Sequence, residues 1–369
     1  MKFWRKYWKS SAAALAAVTI CGAVFFSGCS DAGSNNNKGI PENSSPTQVT
    51  GQISEARNTP VVRAAKAVGP AVVGITNKAV ARDWFNHQFE VEQGVGSGVI
   101  FTADGYIVTN NHVIAGAREI IVSLPDGKSY KGKLIGADEP TDIAVVKIDA
   151  HDLPAAAFGN SDDIVVGEPA IAIGNPMGLE FQGSVTVGVI SALNRTLDIA
   201  GDRRLKLVQT DAAISPGNSG GALVNADGMV IAINSAKVAA NGVEGMGFAI
   251  PINTVREVVD QLMTNGHVSR PYLGVGVFDK ESAARQGYTL NVEAGVYVQN
   301  VNLTGPAGKA GIRRGDIILE VAGKKVNTIN ELRAAIAEHS IGESVEILII
   351  RENRKEKLTA VLEEAPQQD

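Results

Sequence analysis

The stretch Ser215-Pro216-Gly217-Asn218-Ser219-Gly220-Gly221 sets Ser219 among three glycines, and the rest of the chain is read outward from it. A serine hydroxyl at its free pKa is a weak nucleophile, so hydrolysis needs a base beside it and donors for the oxyanion. Glycines let the backbone turn tightly, which allows the amides of Gly217 and Ser219 to face a developing negative charge. A Gly-Ser-Gly surface turn has the same composition, so the partners decide. His112 ends the β-type run Tyr106-Ile107-Val108-Thr109-Asn110-Asn111-His112, and Asp142 stands at the mouth of Ile143-Ala144-Val145-Val146. A histidine can take the serine proton, and an aspartate can fix its tautomer and stabilise its cation. Asp211, eight positions before the serine, is a rival for the third place.

His, then Asp, then Ser is the chymotrypsin order, the reverse of the α/β-hydrolase order. Thr109-Asn110-Asn111-His112-Val113, Thr141-Asp142-Ile143-Ala144 and Gly217-Asn218-Ser219-Gly220-Gly221 resemble the three catalytic blocks of the HtrA (DegP/DegS-like) serine proteases. Gly94-Val95-Gly96-Ser97-Gly98-Val99, Ile173-Gly174-Asn175-Pro176 and Gly245-Met246-Gly247-Phe248-Ala249-Ile250-Pro251 match as supporting segments. The resemblance runs from about Thr59 to the last strand. It implies His112, Asp142 and Ser219 as the triad, in preference to Asp211, and an oxyanion hole of the Gly217 and Ser219 amides. It also implies that Asn234, Ser235 and Ala236 pair with the substrate backbone. His87, His151, His267 and His339 lack such context and read as structural or surface residues.

The fold expected is mostly β: a chymotrypsin-like double β-barrel followed by a small α+β PDZ domain. Short β-branched runs between glycines, such as Ala71-Val72-Val73-Gly74-Ile75 and Ala170-Ile171-Ala172-Ile173, point to an all-β barrel or sandwich, and the triad order adds two six-stranded barrels with the site in the cleft between them. Val255 to Met263 reads as a closing helix. After Arg270-Pro271, the loop Tyr272-Leu273-Gly274-Val275 would supply amides to a peptide carboxylate, by resemblance to a PDZ domain of the HtrA type. Thr328 and Glu331 have capping-box spacing before a helix, and two alternating runs, Val345–Ile349 and Leu358–Leu362, finish the chain. No second copy of the module follows.

Composition narrows the function. A net charge of -5 gives no sign of nucleic-acid affinity. No phosphate loop is present, so ATP would not drive the reaction, and no His-Glu-x-x-His run or cysteine-histidine cluster suggests a metal. No cofactor is expected. Both cysteines, Cys21 and Cys29, fall in the first thirty residues, which excludes a disulfide framework or cysteine catalysis in the body. Lys2, Arg5, Lys6 and Lys9 precede the uncharged stretch Ser10 to Gly28, the pattern of a signal or anchor with the body outside the cytoplasm. Phe26-Ser27-Gly28-Cys29 resembles a lipoprotein box, although Phe26 departs from its usual aliphatic residue. Lipidation at Cys29 and an uncleaved spanning anchor both remain open, with free release third. The expected layout is a signal or anchor at 1–29, a flexible tether at 30–58, a protease domain at 59–268 and a PDZ domain at 269–363.

Six positions before the serine, where trypsin-like enzymes hold a buried acid, stands Ala213, followed by Ile214. Cleavage after small or medium aliphatic residues is therefore expected. The resemblance implies an ATP-independent, membrane-tethered quality-control endopeptidase acting on unfolded proteins, a homotrimer, and C-terminal peptides as PDZ ligands. The loops at 178–184, 194–201 and 236–245 are candidates for ordering by such a ligand. Trp84, Phe85 and Phe89 form an aromatic loop suited to assembly, regulation or burial. The alternative is a membrane-tethered PDZ chaperone or sensor with little proteolysis.

Overall fold

The computed structural model describes residues 53–82, 88–175, 183–198, 204–236, 245–290 and 292–366. The anchor with Cys29, most of the tether, Trp84, Phe85, His87, most of the candidate loops at 178–184 and 236–245 and the end of the one at 194–201 lie outside the described residues, as does the side chain of Phe89. Among the described residues no helix is long and apolar enough to cross a membrane.

Helix α1 (Pro60–Val68) starts where the sequence changes character: the Thr59 hydroxyl accepts from the Val62 amide, and proline takes the first helical position. Six strands follow, β1 (Val72–Arg82), β2 (Gln88–Ile100), β3 (Tyr106–Asn110), β4 (Glu119–Ser123), β5 (Ser129–Asp138) and β6 (Ile143–Lys147), with the one-turn helix α2 (Asn111–Ile114) after β3. They close a barrel in the order β1-β2-β3-β6-β5-β4. The next six are β7 (Pro169–Gly174), β8 (Ser184–Asp198), β9 (Arg204–Thr210), β10 (Ala222–Val224), β11 (Val230–Asn234) and β12 (Gly247–Pro251), and they close a second barrel in the order β10-β11-β12-β9-β8-β7. The double barrel expected from the sequence is therefore present.

Strand β7 shows why its sequence is apolar throughout. Ile171 and Ile173 pack into a core shared with the first barrel, whereas Ala170 and Ala172 face the interior of the second. A strand buried on both faces has no reason to alternate. Helix α3 (Ile252–Asn265) is longer than the sequence reading, starting directly after Pro251. Its buried Ile252, Val255, Val259 and Leu262 lie on one face, and Gly266 ends it in the left-handed conformation at φ 79°.

The tail comprises β13 (Pro271–Tyr272), β14 (Val275–Phe278), α4 (Lys280–Arg285), β15 (Val296–Val301), α5 (Pro306–Lys309), β16 (Ile317–Val321), β17 (Lys324–Lys325), α6 (Ile329–Ala337), β18 (Ser344–Arg351), β19 (Arg354–Val361) and β20 (Glu363–Glu364). The sheet runs β14-β15-β16-β18-β19, with β17 beside β16 and a separate β13-β20 pair. Glu352 and Asn353, with φ 51° and 63°, make the two-residue turn between β18 and β19, the backbone signature of a type I′ hairpin. Thr328 caps α6 as its spacing predicts, but the Glu331 carboxylate accepts from the Asn327 amide, one residue earlier than a full capping box requires.

One ion pair ties the tail to the first barrel. Arg270 sends two guanidinium nitrogens to the buried Asp138 at 2.6 and 2.8 Å, and Asp138 also accepts from the amide and hydroxyl of Thr141. Burial pushes the Asp138 carboxyl up, but the Arg270 and Thr141 bonds outweigh it and hold it below the usual range. A depressed folded pKa contributes stability above the unfolded value, and that contribution is lost as pH falls through the folded one. Asp138→Asn should therefore melt below wild type at pH 7, with the gap narrowing below about pH 4. A gap independent of pH, followed by thermal unfolding across a pH series, would contradict this account.

Candidate active site

The antiparallel pairing of β3 and β6 sets Asn110 opposite Ile143. The residue two past β3 and the residue just before β6 therefore meet. His112 Nδ1 lies 2.7 Å from Asp142 Oδ2, and the His112 amide donates to Asp142 Oδ1 at 2.9 Å. Both carboxylate oxygens thus grip one residue, which sets the tautomer with the proton on Nδ1 and leaves Nε2 as the base. Asp142 adopts φ 59°, a left-handed conformation that aspartate tolerates better than most residues. Its carbonyl is held by the Asn111 amide and by Asn110 Nδ2, each at 3.0 Å. The buried Ser235 hydroxyl lies 3.4 Å from Asp142 Oδ2.

Ser219 comes from the second barrel, on the segment between β9 and β10. The Asn218 amide bonds to Ser215 O at 2.9 Å across a four-residue turn, with Pro216 second and Gly217 third at φ 101°. This is the type II pattern, which requires glycine at the third position. The amides of Gly217 and Ser219 donate to no other described residue. Two unspent donors beside a buried serine make a site for an oxyanion. The Ser219 hydroxyl accepts from the Ala236 amide at 3.0 Å, and among the described residues no hydrogen bond joins it to His112. Such bonds often tighten only when substrate binds.

Asp211 accepts from the Val189 amide at 2.7 Å on β8 and makes no bond to His112. Asn234 spends both backbone groups on Gly220 and Gly221, and the Ser235 amide donates to Phe248 O. The Ala236 amide is likewise taken, by the Ser219 hydroxyl. Ala213 is exposed, with its carbonyl accepting from Thr186. Ile214 sits so close to Gly247 that a Cβ there would lie 2.6 Å from Ile214 Cγ1. Among the described residues no cluster of His, Cys, Asp and Glu could hold a metal ion.

In the tail, Leu273 is buried and Gly274 adopts φ 86°. Their carbonyls are taken by the Ala307 and Asn302 amides, while their own amides donate to no described residue. Tyr272 lies on β13 and Val275 begins β14, which occupies an open edge of the sheet. Of the other histidines, His267 pairs with Glu364 and His339 with Glu343. The sequence reading assigned no role to Ser97, which the fold brings beneath the Ser219 turn, or to the Arg270–Asp138 pair close to Asp142.

Residues 96–233 match the model of the trypsin-like peptidase domain, and residues 271–362 match that of the PDZ domain. The chain is 41% identical over 310 residues to the serine protease Do-like HtrA of Bacillus subtilis, an alignment covering 78% of this chain and 69% of that protein. It is 42% identical to the serine protease Do-like HtrB of the same organism, covering 79% of this chain and 68% of that one. Among solved structures, the HtrA-type protease AlgW with a decapeptide superposes with TM-score 0.69 at 36% identity, covering 84% of this chain and 99% of that one. With a gripped histidine, a serine on a glycine turn and a PDZ module behind them, the chain belongs to the HtrA family of trypsin-like serine proteases.

Proposed function

We propose that the protein is an ATP-independent endopeptidase working by acyl transfer at Ser219. The observation that carries this reading is the His112–Asp142 pair on one barrel together with the unspent Gly217 and Ser219 amides on the other. His112 Nε2 takes the Ser219 proton as the oxygen attacks the scissile carbonyl. The carbonyl oxygen, now an anion, is met by the two amides, and Asp142 stabilises the imidazolium. The imidazolium gives its proton to the leaving amine. Water, deprotonated by His112, then releases the acyl group and frees Ser219.

Substrate chemistry follows from the walls. Ala213 and Ile214 supply no charge for a basic side chain, so small or medium aliphatic residues fit before the cut. The unspent amides of Leu273 and Gly274 suit the carboxylate of a C-terminal peptide, which would add as a strand beside β14. In this reading residues 59–268 form the protease unit and 269–363 the recruiting and regulatory unit. Relatives named probable periplasmic serine endoproteases, including one from Halomonas elongata at 42% identity, support an extracytoplasmic site of action; unfolded proteins are the substrates that the family resemblance implies. The cationic N-terminus with its apolar stretch supports tethering to a membrane.

Assembly has a candidate face. Val185, Val187 and Val189 point outward along β8, beside the exposed Val165 and Val166. Exposed apolar residues of this kind suit an interface, and the family resemblance implies a homotrimer built through the protease domains. The test is degradation of an unfolded, casein-like substrate without ATP, with the cut sites sequenced and the assembly read by sedimentation. Cuts should follow Ala, Val, Ile or Leu, and a hydrophobic C-terminal peptide should raise the rate. Cuts dominated by Lys or Arg contradict the pocket reading. No cleavage by an assembled, peptide-supplemented enzyme favours a binding role instead.

A further inference from the structure

We infer that Ser97 is a positioning residue for the oxyanion hole, acting from the opposite barrel; the inference rests on the acyl-transfer reading above. Ser97 lies on β2 and is fully buried. Its hydroxyl donates to Gly217 O at 2.6 Å and accepts from the Asn175 amide at 2.8 Å. Its own amide donates to Ser219 O at 2.7 Å, and its carbonyl accepts from the Thr109 hydroxyl at 2.7 Å. Every polar atom of this residue is therefore spent, and two of them hold the serine turn.

The geometry gives these bonds a specific consequence. The Gly217–Asn218 peptide lies between the two amides that face the oxyanion. Its N–H is pinned by Ser215 O, and its C=O is pinned by the Ser97 hydroxyl. Glycine at φ 101° has little intrinsic preference for that conformation. Without the hydroxyl, the carbonyl has lost its buried donor and the peptide is free to rotate toward another. Rotation would swing the flanking amides off the point where the oxyanion forms, and donors aimed in advance are what give such a site its effect. The same hydroxyl is held in turn by the Asn175 amide, the last described residue before the undescribed segment 176–182. One oxygen atom of Ser97 thus links the end of β7 to the oxyanion turn.

The experiment uses the full chain and compares wild type with Ser97→Ala and Ser97→Cys, beside Ser219→Ala as the blank. Cysteine fills the site with a weak donor, so it keeps the packing if alanine does not fold. The readouts are kcat and KM on a short peptide substrate, and the affinity for a peptidyl boronic acid, whose anionic tetrahedral adduct places a boron-bound oxygen where the oxyanion forms. Loss of one oxyanion donor costs roughly 100-fold or more, so misplacing donors that remain present should lower kcat roughly tenfold. Boronate affinity should fall by a similar factor, while KM and binding of a C-terminal peptide to the PDZ domain stay within about twofold. A folded variant of either kind with wild-type kcat and wild-type boronate affinity overturns the inference. Loss confined to KM or to melting temperature also overturns it, since that is the mark of a merely structural hydroxyl. A wild type whose hydrolysis does not depend on Ser219 overturns the acyl-transfer reading itself.

Discussion

Ser219→Ala is expected to lower turnover on an unfolded protein substrate by roughly 10⁴-fold or more, leaving melting temperature and PDZ peptide binding near wild type. The hydroxyl makes one described bond, from the Ala236 amide, so its loss removes the nucleophile while disturbing little of the packing. His112→Ala should cost about as much as the serine change, because a serine without its base stays protonated. The double variant should be no worse than either single one, since residues that act as a unit are not additive. Asp142→Asn reads a different effect. An amide can present its N–H to the His112 ring, which favours the tautomer with the proton on Nε2 and removes the base from the serine. Loss of roughly 10⁴-fold in kcat with KM little changed is the expected signature. Initial rates, together with covalent labelling of the serine by a fluorophosphonate, measure all four variants. A Ser219→Ala enzyme retaining more than a tenth of wild-type activity would remove this residue from the mechanism.

The candidate triad was legible because each proposed member sits inside a short block whose local chemistry announces it. His112 follows a strand-like run, Asp142 precedes one, and the pairing of those two strands is what brings the side chains together. The barrels were legible for a similar reason, since β-branched runs between glycines require little more than neighbours to form sheets. Ser97 was not legible as a site residue. Its partners Gly217 and Asn175 are 120 and 78 positions away, and a serine between two glycines looks like a turn. Arg270 and Asp138, 132 positions apart, are hidden in the same way. The valine stripe of β8 misleads in the opposite sense. Alternation normally points the apolar residues inward, yet Val185, Val187 and Val189 face out. Pattern gives the period of a strand, and only the register tells which face is buried.

Gly220→Ala should damage folding far more than its neighbour in chemistry, Gly228→Ala. Both glycines lie in the left-handed region, at φ 82° and 78°. That conformation alone costs an alanine about 1 kcal/mol. At Gly228 nothing more is added, because the nearest atom to a Cβ is 3.6 Å away. At Gly220 a Cβ would lie 2.1 Å from Ser97 O and 2.4 Å from the Thr109 hydroxyl. Neither atom is free to retreat. Ser97 and Thr109 are fully buried and bonded to each other, and the Gly220 amide is itself tied to Asn234 O at 2.9 Å. Relief therefore means opening the seam between the barrels where Ser219 sits. We expect a loss of roughly 4 kcal/mol or more at Gly220, against about 1 kcal/mol at Gly228. For a domain of this size the first corresponds to a melting point on the order of 10 °C lower. Thermal unfolding of the two variants side by side separates the steric cost from the cost of φ. Equal losses at the two positions would mean that the seam yields easily, and a yielding seam could not hold the oxyanion turn in place from the opposite barrel.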